Sequence, residues 1–230
     1  MTLRQRRSDD PPVSTRRLEA LTDGVFAIAA TLLVLDLTVK DLGQIQNNDQ
    51  LVTGLLGLRS VFLSFFISFA LLSLLWATHV RQFEFISTAN RTLMLLNSAR
   101  LFGVVLIPFT TSINGQYESM TAGRILLPIN FLFVIGMSVL LWFYATNPRH
   151  PLVINTPTGF VREQRINGVV SVVVGVIVVA LSPFIGSWAF LAYGLNYLGT
   201  SIAFTRRTRE STGKRNAADR KNPDGGVSKS

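Results

Sequence analysis

The chain contains no cysteine. Disulfides, thiolate metal sites and cysteine nucleophiles are therefore excluded. Histidine is nearly as scarce: His79 and His150 are the only two, too few to build a histidine metal centre. Charge is thin as well. Charged residues make up 15% of the 230 positions, against roughly 25% in a soluble domain, and 48% of the chain is hydrophobic. No nucleophile–base pair, paired catalytic carboxylates or phosphate loop stands out. "GLLGLR" and "GVVSVVVG" read as helix-packing glycines, not nucleotide fingerprints. The expectation is a protein that is not an enzyme and uses no cofactor.

What the chain has instead is long apolar runs. A membrane span needs about 20 mainly apolar residues. Six segments meet or approach that length, at about 18–38, 52–78, 92–113, 124–145, 166–185 and 188–205. The fold class expected is an all-α integral membrane protein with six transmembrane helices in residues 16–205. The flanking stretches 1–15 and 206–230 are polar and charged, and are expected to be disordered. The first run is too long for a signal-peptide core and no small-residue cleavage site follows it, so it reads as a retained span. The second is long enough to tilt. The last two, separated by "IGSW", predict a tight hairpin. Pro108 and Pro128 fall inside spans, where neighbouring helices tolerate a kink.

The net charge of +9 is placed unevenly. Five arginines precede the first span, Arg81 and Arg91 follow the second, Arg149, Arg162 and Arg165 follow the fourth, and eight lysines or arginines lie in the C-terminal tail. The other side has Lys40, Arg59 and Arg124. This alternation predicts a cell-membrane protein with both termini cytoplasmic, not a nucleic-acid binder. The tails fit contact with anionic membrane lipid. One set of six short-looped helices is small for a transporter, but it suits a subunit of an assembly with a pore on its symmetry axis.

The first span, "RRLEALTDGVFAIAATLLVLDL", carries most of the information. At about 100° per residue, Leu32, Leu35 and Val39 fall within about 40° of Ile28, and Thr31 flanks them at about 60°. Asp23 falls on the opposite face, and so does Val34. A carboxylate at the edge of the hydrocarbon is costly unless paired or wet. Asp23 therefore reads as a packing-face strut. By depth its partners are Trp76 and His79 in "LLWATHVRQF" and Asn97 in "NRTLMLLNSARLF", with Arg17 reaching in from outside. Arg17, Thr22, Asp23, Trp76, His79 and Asn97 form the expected structural polar network, which Arg100 is placed to join or to enter in a partner's stead. His79 reads as a structural group, or alternatively as a pH sensor. Asp36, Asp41 and Asp49 form either an acidic mouth that concentrates cations or an ordinary solvated helix end.

The segment Arg17-Leu18-Glu19-Ala20-Leu21-Thr22-Asp23 resembles the Arg-x-x-x-Phe-Ser-Asp signature of the lysosomal potassium channel family, transmembrane protein 175 and its bacterial relatives. Leu21 stands for Phe and Thr22 for Ser. The run "DGVFAIAATLLVLDL", the Trp76–His79 spacing and "LIPFTTSI" also resemble that family, so the likeness covers residues 16–113. It implies a K+-permeable channel, and the lack of a strict filter sequence extends the expected permeant ions to other monovalent cations. It implies a symmetric homotetramer with the first helix lining the pore, an apolar constriction at Ile28, Leu32 and Leu35, and a pore hydroxyl at Thr31. Such a constriction gates by dewetting. No "TVGYG" filter is present, and "AYGLNYLG" is only an echo of one. The rival reading is a secondary transporter or proton-coupled protein working through the polar cluster around Asp23, which would then face a water cavity. A membrane scaffold without transport is a third.

Overall fold

Apolar periodicity marks the helices, and Asn47 and Asn90 cap two of them. The computed structural model describes residues 15–35, 37, 45–149 and 152–193. Six helices are present among them: α1 (Thr15–Leu35), α2 (Asn48–Gly57), α3 (Arg59–Phe83), α4 (Arg91–Gln116), α5 (Thr121–Ala145) and α6 (Thr158–Ile185). A 3-10 turn, Gly186–Phe190, follows α6. Helices α1, α3, α4, α5 and the run from Thr158 are long and apolar enough to cross a membrane. The 21 residues of α1 measure about 31 Å, matching a hydrocarbon core of about 30 Å. Residues up to Phe190 form one unit, and a second begins at Leu191.

Three expected boundaries move. The second span is two helices, because Leu58 (φ −83°, ψ 6°) interrupts the backbone between Gly57 and Arg59. The Leu58 N–H turns back to the Leu55 carbonyl, and a long tilted helix becomes a short helix followed by a span. The fifth span starts at Thr158 after Pro157, well before the expected 166. Its first turns carry Arg162, Glu163 and Arg165, which hydropathy reads as loop although they are helical. Thr15, assigned to the tail, already belongs to α1. Most of the expected sixth span, the two tails beyond Thr15, and Asp36, Asp41 and His150 lie outside the described residues.

Helix α4 is the centre of the bundle and packs against α1, α3 and α5. Its buried residues, including Asn97, Arg100, Val104, Ile107 and Thr111, fill one broad face of the helix, and Leu95, Phe102, Val105 and Phe109 form an exposed stripe on the other. The approach to α5 is close at Gly103. A Cβ there would lie 2.6 Å from Val134 Cγ2 and 2.8 Å from Phe133 Cδ1, so any larger residue would force these side chains to shift.

Both ends of the bundle are tied. At the α3–α4 end, the Asn90 Oδ1 caps α4 by accepting from the Leu93 N–H at 2.9 Å, and its Nδ2 donates to the Tyr144 hydroxyl at 2.8 Å. Ile86 and Val153 form an antiparallel bridge joining this loop to the one after α5. Leu18, Phe83, Leu93, Leu141 and Leu152 close an apolar cluster beneath it. At the α4–α5 end, Arg124 donates to the backbone carbonyls of Glu118 and Pro183, and the Ser60 hydroxyl donates to the Glu118 carboxylate.

Candidate functional site

Helix α1 buries Leu18, Thr22, Phe26, Ala29 and Leu33, spaced three or four apart along one stripe. That stripe faces α4 and α3. The rest of α1 faces outward from the protomer. Ile28 is 61% exposed, Leu32 40% and Leu35 66%, so these three members of the stripe singled out in the sequence lie on the outer surface. Thr31 is exposed beside it, and its hydroxyl donates to the Ile28 carbonyl at 2.8 Å. That bond uses the only hydroxyl proton, leaving the Oγ1 lone pairs pointing outward as acceptors. Val34, expected on the packing face, is 51% exposed. The buried arc is centred on Thr22 and is turned about 100° from the face of Asp23 and Val34, with Leu33, not Val34, as a fully buried member.

The expected polar network divides into two. The buried part runs as a chain across three helices. The Thr22 hydroxyl donates to the Leu18 carbonyl at 2.7 Å, and Asn97 Nδ2 donates to Thr22 Oγ1 at 2.9 Å. Arg100 Nη2 donates to Asn97 Oδ1 at 2.6 Å and lies 2.8 Å from His79 Nδ1. His79 sits between aromatic rings, with centroids 6.2 Å from Phe26 and 4.2 Å from Phe83. The chain thus joins α1, α4 and α3 through groups that are all buried. Arg100 occupies the middle of it. The sequence signal for Arg100 is its place three residues after Asn97, on the same helix face.

The second part lies on the outer surface. Trp76 Nε1 donates to Asp23 Oδ1 at 2.9 Å, and both residues are exposed in the protomer. Asp23 follows Thr22 by one residue, so it turns about 100° away from the buried chain. Arg17 is exposed and, among the described residues, bonds to neither group. A groove of about 390 Å³ opens between α1 and α3, lined by Asp23, Ala27, Ala30, Phe69, Ser73 and Trp76 among others.

A second buried polar layer, which hydropathy hides, lies towards the α4–α5 end. Asn114 Nδ2 donates to Ser64 Oγ at 2.8 Å and Ser187 Oγ at 3.0 Å, and Thr111 Oγ1 donates to Ser68 Oγ at 2.7 Å. Among the described residues no group of three histidine, aspartate or glutamate side chains is placed to hold a metal ion.

A bundle of membrane-length helices, clamped by an internal polar chain and presenting an apolar stripe with one hydroxyl on its outside, is the architecture of a multi-pass membrane protein. Comparison with known proteins makes this specific. The family described as "Endosomal/lysosomal potassium channel TMEM175" matches residues 17–108. A potassium channel of Chamaesiphon minutus is 38% identical over 103 residues, covering 45% of this chain and 50% of that protein. The endosomal/lysosomal proton channel TMEM175 of Homo sapiens is 40% identical over 95 residues, covering 39% of this chain and 19% of that protein. Among solved structures, the crystal structure of a lysosomal potassium-selective channel TMEM175 homologue from Chamaesiphon minutus is similar with a TM-score of 0.65 and 28% identity. It covers 84% of this chain and 97% of that one. These matches support a bacterial member of the TMEM175 family, whose named members are ion channels. The match to the curated Chamaesiphon relative spans about half of that protein's length.

Proposed function

We propose that this chain is one subunit of a cation channel that conducts K+ passively, with four copies placing their α1 helices around a central pore. The observation that carries the reading is the outward face of α1: Ile28, Leu32 and Leu35 are exposed side by side, and Thr31 is the hydroxyl among them. Rings of these side chains would make a dry constriction that conducts only when widened. The Thr31 oxygen, its proton committed to the Ile28 carbonyl, is suited to receive a partly dehydrated cation. The buried chain from Thr22 to His79 holds α1 at a fixed angle against α3 and α4, and so sets the bore of the ring. Both termini lie in the cytoplasm of a cell-membrane channel, and no cofactor takes part beyond the permeant ion. The relatives named as potassium channels support this reading.

The test is K+ flux. Purified protein in liposomes with an outward K+ gradient should accumulate a cationic potential-sensitive dye when K+ alone is permeant, and Thr31→Ala should reduce the preference for K+ over Na+. Absence of any K+-dependent potential would reject the channel reading.

A second reading has one observation in its favour. The human relative is named as a proton channel, and Asp23 is exposed on the outside of α1. A proton-coupled protein would show flux driven by a pH gradient without K+, abolished by Asp23→Asn.

A further inference from the structure

The groove between α1 and α3 has a chemistry that the pore reading does not use. It holds about 390 Å³, at the small end of the roughly 300–1,000 Å³ typical of small-molecule sites. Its walls are apolar: Phe26 and Leu72 form the buried floor, with Ala27, Ala30 and Phe69 at the sides. Three polar groups line it, and two are committed. The Ser73 hydroxyl donates to the Phe69 carbonyl at 2.8 Å. The Trp76 N–H donates to Asp23 Oδ1 at 2.9 Å. What remains is Asp23 Oδ2, without a hydrogen bond or ion pair among the described residues. The groove therefore offers no free donor to an anion or a carbonyl. It offers one fixed negative charge beside the indole of Trp76, whose face attracts cations in its own right. Asp23 lies eight residues from the start of α1 at Thr15, about 12 Å along the helix, where a carboxylate without a counter-charge is costly.

We propose that this groove binds a lipophilic organic ammonium ion, its nitrogen at Asp23 and Trp76 and its apolar body against Ala27, Ala30 and Phe69. The complement is specific: a metal cation would want several oxygen ligands and finds one carboxylate, and a fatty acid would meet a like charge. An alkylammonium ion supplies one diffuse positive charge and a body that displaces nothing polar. The occupant is a free amine reaching the groove from the membrane. The inference rests on the groove of the protomer and does not depend on K+ conduction.

The test reads Trp76 directly. Substituting Trp142→Phe and Trp188→Phe leaves Trp76 as the only tryptophan. The assembled protein, in phosphatidylcholine nanodiscs, is titrated with 4-bromodecyl-trimethylammonium, whose bromine quenches indole on contact. The expected result is saturable quenching of Trp76, with affinity about tenfold or more weaker in Asp23→Asn, which keeps the Trp76 acceptor but removes the charge. Ser73→Phe, which fills the groove and leaves the carboxylate, should abolish saturation, and it decides alone should Asp23→Asn not assemble. The neutral 4-bromodecan-1-ol should quench only linearly, by partition into lipid. Equal affinity in Asp23→Asn, or saturation by the alcohol, would overturn the proposal. So would quenching in the dissociated protomer but not in the assembly, because a second copy would then fill the groove. Saturation in phosphatidylglycerol discs but not in phosphatidylcholine would assign the groove to a lipid headgroup instead.

Discussion

Nη2 of Arg100 lies 2.8 Å from Nδ1 of His79, at the centre of the bundle. A guanidinium only donates, so Nδ1 must accept and the imidazole proton sits on Nε2. Among the described residues no carboxylate is paired with Arg100. Its charge is instead met by Asn97 Oδ1, by His79 Nδ1 and by the Phe83 ring, 5.9 Å from Cζ. A charge held this way is a fastening between α3 and α4, because each partner is useless without the other.

Removing the guanidinium should therefore be costly. Arg100→Met leaves two buried acceptors without donors, each worth about 1–3 kcal/mol. Arg100→Lys can reach one of the two and should lose less. Thermal unfolding of the purified protein by intrinsic fluorescence should rank parent above Lys above Met. Equal midpoints for parent and Met would mean that the chain of hydrogen bonds contributes nothing to the fold.

Thr22 and Asp23 are neighbours with opposite environments, and substitution should separate them. Thr22→Val removes the buried acceptor for Asn97 Nδ2 and should cost about 1–3 kcal/mol. Asp23→Asn keeps an exposed acceptor for Trp76 and removes an unpaired charge, so it should not destabilise the fold. The reverse order in a denaturation series would return Asp23 to the role of buried strut that its sequence position suggests.

Much of this arrangement can be read from the sequence, for identifiable reasons. Five of the spans announce themselves because lipid demands long apolar runs. Ile28, Leu32 and Leu35 share a stripe because the helical period is fixed. The split of Thr22 from Asp23 is harder to read, since matching depth does not tell which face of α3 or α4 meets α1. Arg100 is the central member of the buried chain, yet a lone arginine in a span has several partners within reach. The layer of Ser64, Ser68, Thr111 and Asn114 is hidden because hydropathy averages small hydroxyl residues into their apolar neighbours. The break at Leu58 has no proline or strong turn motif to mark it.

The crossing of α4 and α5 at Gly103 should resist even a methyl group. Gly103→Ala places a carbon 2.6 Å from Val134 Cγ2 and should destabilise by about 1–3 kcal/mol. Combining it with Val134→Ala removes one of the two collisions and should recover part of the loss. A double variant no better than Gly103→Ala would point to the Phe133 ring, 2.8 Å away, as the harder obstacle.

Topology follows from the alternating basic loops and can be checked by labelling. Cysteines introduced at Ser14 and Ser228 should be protected from an impermeant thiol reagent in intact cells, and one at Asn48 should react. The chain has no native cysteine to confuse the result. Reaction at either tail position would overturn the two-cytoplasmic-termini arrangement.

The outward stripe of α1 gives the most direct test of the pore. Ile28 is chosen because Thr31 lies one turn beyond it and is placed to receive an ion leaving the dry zone. Ile28→Asn would make that ring easier to wet, and should raise cation flux in liposomes while weakening the preference for K+ over Na+. The control comes from the opposite side of the helix. Val34 is half exposed and unsuitable, whereas Leu33 is fully buried against the bundle. Leu33→Asn buries an amide without partners and should lower the yield of assembled protein without raising flux. If Ile28→Asn assembles normally and conducts no better than the parent, while a substitution on another exposed face opens the pore, the lining face of α1 is not the one that Ile28, Leu32 and Leu35 define.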